Sequence, residues 1–462
     1  MLEKFRRKYI GDRNFYGRYI ALALPMIIQN AVTNLVSFLD NIMVGQLGTE
    51  QMSGVAIVNQ LIFVYNLAIF GAVSAASIFG AQYFGNGNHK GHMYSFRFKL
   101  YAALTVTALT ILLFVTNGES LISLYLTDTS GNGATGAALQ YGLQYLVIMM
   151  AGLIPFAVNQ SYATNIKETG QTLIPMIASF VAVGSNAILD YLLIFGIGPF
   201  PELGVQGAAL ATVIARYIEA LMIIIWAHRH REKNRYLEGA YLGFGIPKYE
   251  LKAIIIKGLP LMINEVLWAA GMTAVIQCYS IRGLEVVAGL NIATTITNLF
   301  NIIYLQLGAC ISIVVGQYLG AGELEKAKDA DNKMIVFSVF CCVIVAVCML
   351  FIGRFFPQIY NTSEEIRTLA TRFIAVSAII MPFCSFSHAS YFTLRSGGKT
   401  MVTFLFDSVF TWIVVVPTAF LLAHFTGLGI VSVYFLVQAT ELIKVVIGYF
   451  MVHSNVWLVQ MV

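Results

Sequence analysis

Leu24-Pro25 followed by Gln82-Tyr83-Phe84-Gly85-Asn86-Gly87, and Leu259-Pro260 followed by Gln317-Tyr318-Leu319-Gly320-Ala321-Gly322, are the stretches that decide the fold. Pro25 to Gln82 spans the same distance as Pro260 to Gln317, so the second set repeats the first 235 residues later without a gap. Gly48/Gly283, Glu50/Glu285, Gly54/Gly289, Asn66/Asn301 and Ser77/Ser312 fall in the same register. Further on, Pro155-Phe156 and Pro382-Phe383 match at an offset of 227, and Gly170-x-Thr172 and Gly398-x-Thr400 at 228. A few insertions or deletions therefore separate two copies of one unit. An apolar chain made of two equal halves is most simply a transporter, because two related bundles can rock against each other around a central site.

With 58% apolar and 11% charged residues, the chain is no ordinary soluble domain, which carries about a quarter charged residues. Apolar stretches of about 20 residues recur from end to end, the length that crosses a bilayer as a helix. Twelve are expected, with cores at 17 to 40, 53 to 80, 98 to 117, 138 to 163, 172 to 197, 205 to 227, 253 to 280, 287 to 315, 334 to 353, 370 to 394, 401 to 424 and 429 to 452. The fold class is therefore an all-α integral membrane protein, with twelve transmembrane helices in two pseudo-symmetric six-helix lobes. The longest polar interruption follows the sixth span, which divides the chain into an N-lobe (1–228), a linker (229–249) and a C-lobe (250–462). Six spans return the chain to its starting side, so the two copies run parallel.

The cations alternate from side to side. Lys4, Arg6, Arg7, Lys8, Arg13 and Arg18 precede the first span; Lys90, Arg97 and Lys99 follow the second; Arg229, Arg231, Lys233 and Arg235 follow the sixth. Lys326, Lys328 and Lys333 follow the eighth, and Arg395 and Lys399 the tenth. About 22 of the 28 Lys and Arg residues fall on this one side, which by the positive-inside rule predicts both termini in the cytoplasm and a multi-pass protein of the plasma membrane. Opposite loops carry Glu50, Glu119, Asp128, Glu202, Glu364 and Glu365. The net charge of +5 is thus a topology signal, and no nucleic-acid partner is expected. The six cysteines show no metal-ligand spacing and read as small buried hydrophobes.

An ionisable side chain inside a span costs about 2.5 to 3.5 kcal/mol at the membrane centre, so each is a candidate functional group. They are Asp40, Asp190, Glu265, Asp407 and two pairs at three-residue spacing, Arg216/Glu219 and Glu441/Lys444, which can neutralise each other on one helix face. Asn30, Thr33, Asn34, Ser37 and Asp40 follow helical spacing and form a polar stripe on span one. Such a stripe glues helices together, but a carboxylate at its end exceeds what packing needs. Asn186 and Asp190 share a face of span five, and Ala208 and Thr212 repeat that spacing on span six. If these faces meet Asp40, the pocket offers two carboxylates, an amide oxygen, a hydroxyl and a backbone carbonyl. That set suits a hard cation such as Na+ and equally a proton. Glu265 lies five residues past Pro260, as Asn30 lies five past Pro25, so the copies place a polar side chain at the same depth and only the second is ionisable. Asn59 and Asn66 on span two join Asn30 and Asn34 as candidate polar residues of a substrate cavity. Asp407 stands among Phe404, Phe406, Phe410 and Trp412, where an interhelix hydrogen bond and a functional role are equally open.

Taken together, the chain resembles the MATE (multidrug and toxic compound extrusion) transporters of the MOP superfamily along nearly its whole length. Pro25 with Asp40-Asn41-Ile42-Met43-Val44-Gly45 resembles the family's first helix, and the two Gln-Tyr-x-Gly runs its paired cytoplasmic-end motifs. Asn186-x-x-x-Asp190 followed by Gly204-Val205-x-Gly207-Ala208-Ala209-x-Ala211-Thr212 is similar to helices five and six. The resemblance implies two lobes forming a V-shaped cavity and a drug antiporter driven by H+ or Na+, with no other cofactor, working as a monomer on amphipathic or cationic small molecules. It implies Asp40, Asn186, Asp190 and Thr212 as the cation or proton site, with Ala208 as a carbonyl donor, and Glu265 as a C-lobe coupling or substrate residue. Members with an acid on helix seven also carry one on helix ten; Pro382 to His388 offers none.

No Gly-x-x-x-x-Gly-Lys-[Ser/Thr] phosphate loop occurs, which leaves a gradient as the energy source. The nearest rival is a lipid-linked oligosaccharide or lipid flippase of the same superfamily. An intramembrane aspartyl hydrolase would need a Tyr-Asp and a Gly-x-Gly-Asp pair, and neither is present.

Overall fold

The computed structural model describes residues 8–126, 134–243 and 245–462; Lys4, Arg6, Arg7 and Asp128 lie outside the described residues. The chain forms α1 (Arg13–Gly45), α2 (Thr49–Gly85), α3 (His89–Ser123), α4 (Ala134–Ala151), α5 (Leu153–Glu168), α6 (Leu173–Phe195) and α7 (Val205–Arg229). Its second half forms α8 (Lys248–Ser280), α9 (Leu284–Gly320), α10 (Leu324–Ile352), α11 (Glu364–Ser396), α12 (Thr400–Phe425) and α13 (Ile430–His453). Among the described residues, eleven helices are long and apolar enough to cross a membrane, and α4 with α5 make a twelfth span bent by 44°. The protein is thus an all-helical, multi-pass membrane protein.

The bend has a local cause. Pro155 has no N–H to offer the Ala151 carbonyl four residues earlier, and a carbonyl freed inside a bilayer needs another donor. Side chains supply it: the Tyr217 hydroxyl donates to Ala151 O (3.3 Å), Arg216 Nη1 to Gly152 O (3.3 Å) and the Tyr65 hydroxyl to Leu153 O (2.8 Å). The repeat's second proline, Pro382, instead lies inside the continuous α11. Pro25 and Pro260 likewise sit within the assigned helices α1 and α8.

Packing divides the described chain into two compact units. One comprises the described residues of Ile28–Gly80 and His89–Lys252. Val58, Ile62, Tyr65, Ile69, Met149 and Ile194 lie in its main core. Near its linker, Phe96, Tyr162, Ile166 and Tyr236 form a second core. Arg97 and Lys99, counted among the loop cations, are both buried in this unit. Lys99 Nζ reaches Glu168 at 2.5 and 2.7 Å and also contacts Asn165 Oδ1, while His92 Nε2 lies 3.3 Å from Glu168 Oε2.

The other unit comprises the described residues of Met1–Ile27 with Ala81–Asn88 and Ala253–Val462. It explains the repeated Gln-Tyr-x-Gly motif. A Cβ on Gly85 would overlap the Gln317 carbonyl, and one on Gly320 would overlap the Gln82 carbonyl. The ends of α2 and α9 therefore cross backbone to backbone, each motif's glycine seated on the other's glutamine. Gln82 then ties in the C-terminal segment: its Nε2 donates to Ser396 O (2.9 Å) and Val459 O (3.3 Å), and its Oε1 accepts from Met461 N (2.8 Å). All six cysteines are free thiols; Cys278, Cys310 and Cys342 are buried, whereas Cys348 is exposed.

Candidate functional site

The α6–α7 hairpin positions the first group of polar side chains. Gly196 caps α6 in the left-handed conformation, and Leu203 N and Gly204 N return to the carbonyls of Leu193 (2.9 Å) and Ile194 (3.3 Å). A Cβ on Gly207 would stand 2.5 Å from Leu193 O, so only glycine lets the two helices meet this closely. Below that contact Asn186, Asp190 and Ala208 are buried and Thr212 is half-buried.

Asp40 at the end of the α1 stripe does meet this face. The Asp40 and Asp190 carboxyl groups are close neighbours, and Asn186 flanks Asp190. Tyr145 on α4 sits beside Thr212 and within electrostatic reach of both acids; its hydroxyl donates to Asn59 Oδ1 at 3.3 Å. Asp40, Asn186, Asp190 and Thr212 of the expected cation or proton site, and Asn59 of the expected substrate cavity, therefore lie in one unit near a phenol that the sequence reading missed. A tyrosine in an apolar run carries little periodic signal, but a buried Tyr hydroxyl needs a partner, and that was the available clue. The Ala208 carbonyl accepts the Thr212 hydroxyl at 3.0 Å.

The pair lacks protein counter-charge. Asp190 Oδ1 and Oδ2, Asp40 Oδ1 and Asn186 Nδ2 are buried without a hydrogen-bond donor or acceptor of their own, and among the described residues neither acid has an ion-pair partner. Arg216 on α7 makes no ion pair with Glu219 as its spacing suggested. It bonds to Gly152 O and lies over the Phe156 ring at 5.1 Å. Two carboxylates this close in a medium of low dielectric repel strongly, and orphaned buried oxygens are costly. The donor set thus fits a shared proton or an oxygen-liganded cation.

The other polar residues of α1 behave differently. Thr33 donates to Gln29 O (2.9 Å), Asn34 to Asn30 O (2.9 Å) and Ser37 to Thr33 O (3.0 Å), each satisfied on its own helix. Asn34 is exposed and Asn30 half-buried. Thr33 also reaches Ser179 on α6, at 3.5 Å. Asn66 holds a buried Oδ1 with no donor.

In the other unit, Glu265 on α8 is half-buried and makes no hydrogen bond or ion pair among the described residues. Its neighbour Asn264 carries a network: Nδ2 donates to Asp407 Oδ2 (3.1 Å), while Oδ1 accepts from the Ser408 hydroxyl (2.7 Å) and amide (3.3 Å). Lys444 on α13 stands 3.3 Å from Asp407 Oδ1 and 3.7 Å from Glu441, over the rings of Phe406 and Phe410 at 5.4 and 6.0 Å. Around Asp407, α12 widens into π-helical turns at Leu405–Val409 and Thr411–Val415, a feature frequent at functional sites. Sequence spacing assigned Lys444 to Glu441 alone. Its shorter contact is with Asp407, on another helix.

The MatE family model matches residues 25–192 and again 260–421, starting at the two repeated prolines. A probable multidrug resistance protein NorM of Thermotoga maritima is 24% identical over 420 residues, covering 90% of this chain and 87% of that protein. A probable multidrug resistance protein YoeA of Bacillus subtilis is 23% identical, covering 89% and 88%. The fold is shared with solved structures. A MOP superfamily transporter from Pyrococcus furiosus superposes with a TM-score of 0.83 at 20% identity, covering 95% of each chain. A Vibrio cholerae MATE transporter gives 0.83 at 17% identity, covering 96% of this chain and 97% of that one.

Proposed function

Because this chain belongs to the MatE family of multidrug-resistance transporters in the MOP superfamily, and is thus a transporter and not an enzyme, we propose that it exports amphipathic or cationic compounds in exchange for H+ or Na+. The observation that carries this reading is the pair of buried Asp190 and half-buried Asp40, with buried oxygens that have no hydrogen-bond partner and no protein cation among the described residues. The entering ion is a transported substrate. It binds at Asp40 and Asp190 with Asn186, Thr212 and the Ala208 carbonyl at hand, and it removes the buried negative charge. That change gives the two conformations different affinities for drug and ion, which is the only way a ligand can shift such an equilibrium. The halves then rock and release the drug outside. Asn30, Asn34, Asn59 and Asn66 supply polar contacts to the drug, and Glu265, unpaired in the second half, offers a carboxylate to a cationic drug or to a further proton. No cofactor beyond the coupling ion is needed. One chain suffices, since Asp40, Asn186, Asp190 and Thr212 all come from one compact unit. The distribution of Lys and Arg supports a plasma-membrane protein with both termini in the cytoplasm.

The test is export of a fluorescent cationic dye from proteoliposomes under a sodium gradient and a proton gradient imposed separately. Transport driven by one gradient and lost in Asp40→Asn supports the reading and names the ion. Uphill transport that persists in Asp40→Asn overturns it.

A further inference from the structure

The linker between α7 and α8 is folded. Arg97 on α3 clamps it with three bonds, from Nε to Ala240 O (2.9 Å), Nη1 to Gly245 O (2.8 Å) and Nη2 to Gly239 O (2.7 Å). Asn234 is fully buried and donates to His230 O at 3.0 Å, and Tyr236 and Leu237 are buried against Phe96, Tyr162 and Ile166. The Tyr162 and Tyr241 hydroxyls are in hydrogen-bond contact. A loop serving only to join two halves needs none of this.

What the clamp holds out is equally specific. Arg229, Arg231, Lys233 and Arg235 are exposed, and among the described residues none of the four has an ion-pair partner, with Glu232 and Glu238 the acids among them. A few residues on, Leu242 is 91% exposed and Tyr241 54%. Arg229 is the last residue of α7, so chain connectivity keeps the cations within a few residues of the bilayer surface. Basic residues there gain from anionic headgroups over a distance of about a Debye length, and an exposed leucine beside a tyrosine gains from the interfacial region.

We infer that the folded loop 229–243 is a membrane-surface anchor whose four cations bind anionic phospholipid headgroups and whose Tyr241-Leu242 tip enters the headgroup boundary. The leaflet concerned follows from the cytoplasmic placement proposed above. By holding the loop to α3, Arg97 makes the lipid contact part of the first half's fold, so anionic lipid stabilises that half.

The experiment uses the full chain in nanodiscs of phosphatidylcholine alone or with phosphatidylglycerol, reading Tm and amide hydrogen exchange. The expected result is a higher Tm with phosphatidylglycerol and slower exchange at 230–243, reduced by high salt. Both effects are lost in Arg231→Gln/Lys233→Gln/Arg235→Gln, and Leu242→Ser loses the protection at the tip. An equal Tm in the two lipids, or a lipid response unchanged in the triple variant, overturns the inference. Both leaflets of a nanodisc have one composition, so this result is independent of orientation. Protease access to the loop in sealed inverted and right-side-out vesicles reads orientation separately, and cleavage from outside would overturn the topology while leaving the lipid result standing.

Discussion

Asp190 and Asp407 are acids in helices of the two halves, and the protein treats them in opposite ways. Asp190 is buried against a second acid, Asp40, with no cation partner and both oxygens unbonded. Asp407 receives an ammonium from Lys444 and an amide from Asn264. At the 235-residue offset the counterpart of Asp40 is Val275, so the second copy lacks the paired acid altogether. A carboxylate with a cation of its own chain beside it has its charge balanced from within the protein. A carboxylate pair without one must take its positive charge from solution, and this is the property an ion-coupled machine requires.

The largest effect should come from removing the open pair. Asp40→Asn or Asp190→Asn should reduce gradient-driven dye export to background while the protein still elutes as a folded species in detergent; surviving uphill export would erase the distinction between the halves. Next is the closed pair. Lys444→Met leaves Asp407 and Glu441 without their cation and should destabilise the chain by about 3 to 5 kcal/mol in denaturant titrations. Adding Asp407→Asn should recover most of that loss, and failure of the second change to rescue would show that Lys444 acts mainly by packing.

Where the copies are alike, the effects should be alike. Gly85→Ala and Gly320→Ala each push a methyl into the other motif's glutamine carbonyl, and each should cost about 1 to 3 kcal/mol. A large difference between the two would mean that the crossing is not symmetric in energy. The smallest effect concerns the bend. Tyr65 donates to the Leu153 carbonyl, whereas the residue 235 positions on is Phe300, in the half whose proline helix is unbroken. Tyr65→Phe makes the first copy resemble the second and should lower stability by about 1 kcal/mol. No change in the melting curve would mean that the bend does not depend on this hydroxyl.

Much of this was legible in the chain. The gap-free register of Pro25, Gln82, Pro260 and Gln317 announced the duplication, and the expected twelve spans correspond, among the described residues, to eleven single helices and one bent pair. Asp40, Asn186, Asp190 and Thr212 could be picked out because polar groups in apolar helices are few and helical spacing says which share a face. The same rule held for Glu441 and Lys444, which pair at 3.7 Å, but could not show that Lys444 also reaches an acid 37 residues away, and it misled for Arg216, which bonds to a carbonyl at the bend. It also could not tell that Thr33, Asn34 and Ser37 bond to their own helix, that Tyr145 stands among the acids, or that Arg97 folds the linker.

Composition and periodicity by themselves determined that this chain is a duplicated bundle of membrane helices with a small set of costly polar groups, because transfer into a bilayer and helical repeat are properties of each segment alone. Tertiary structure decided which of those groups meet. Whether an acid finds a lysine, another acid or nothing depends on distances between helices, set by contacts such as Gly207 on Leu193 and by the bend at Gly152. Those distances leave Asp40 and Asp190 facing each other without a counter-charge.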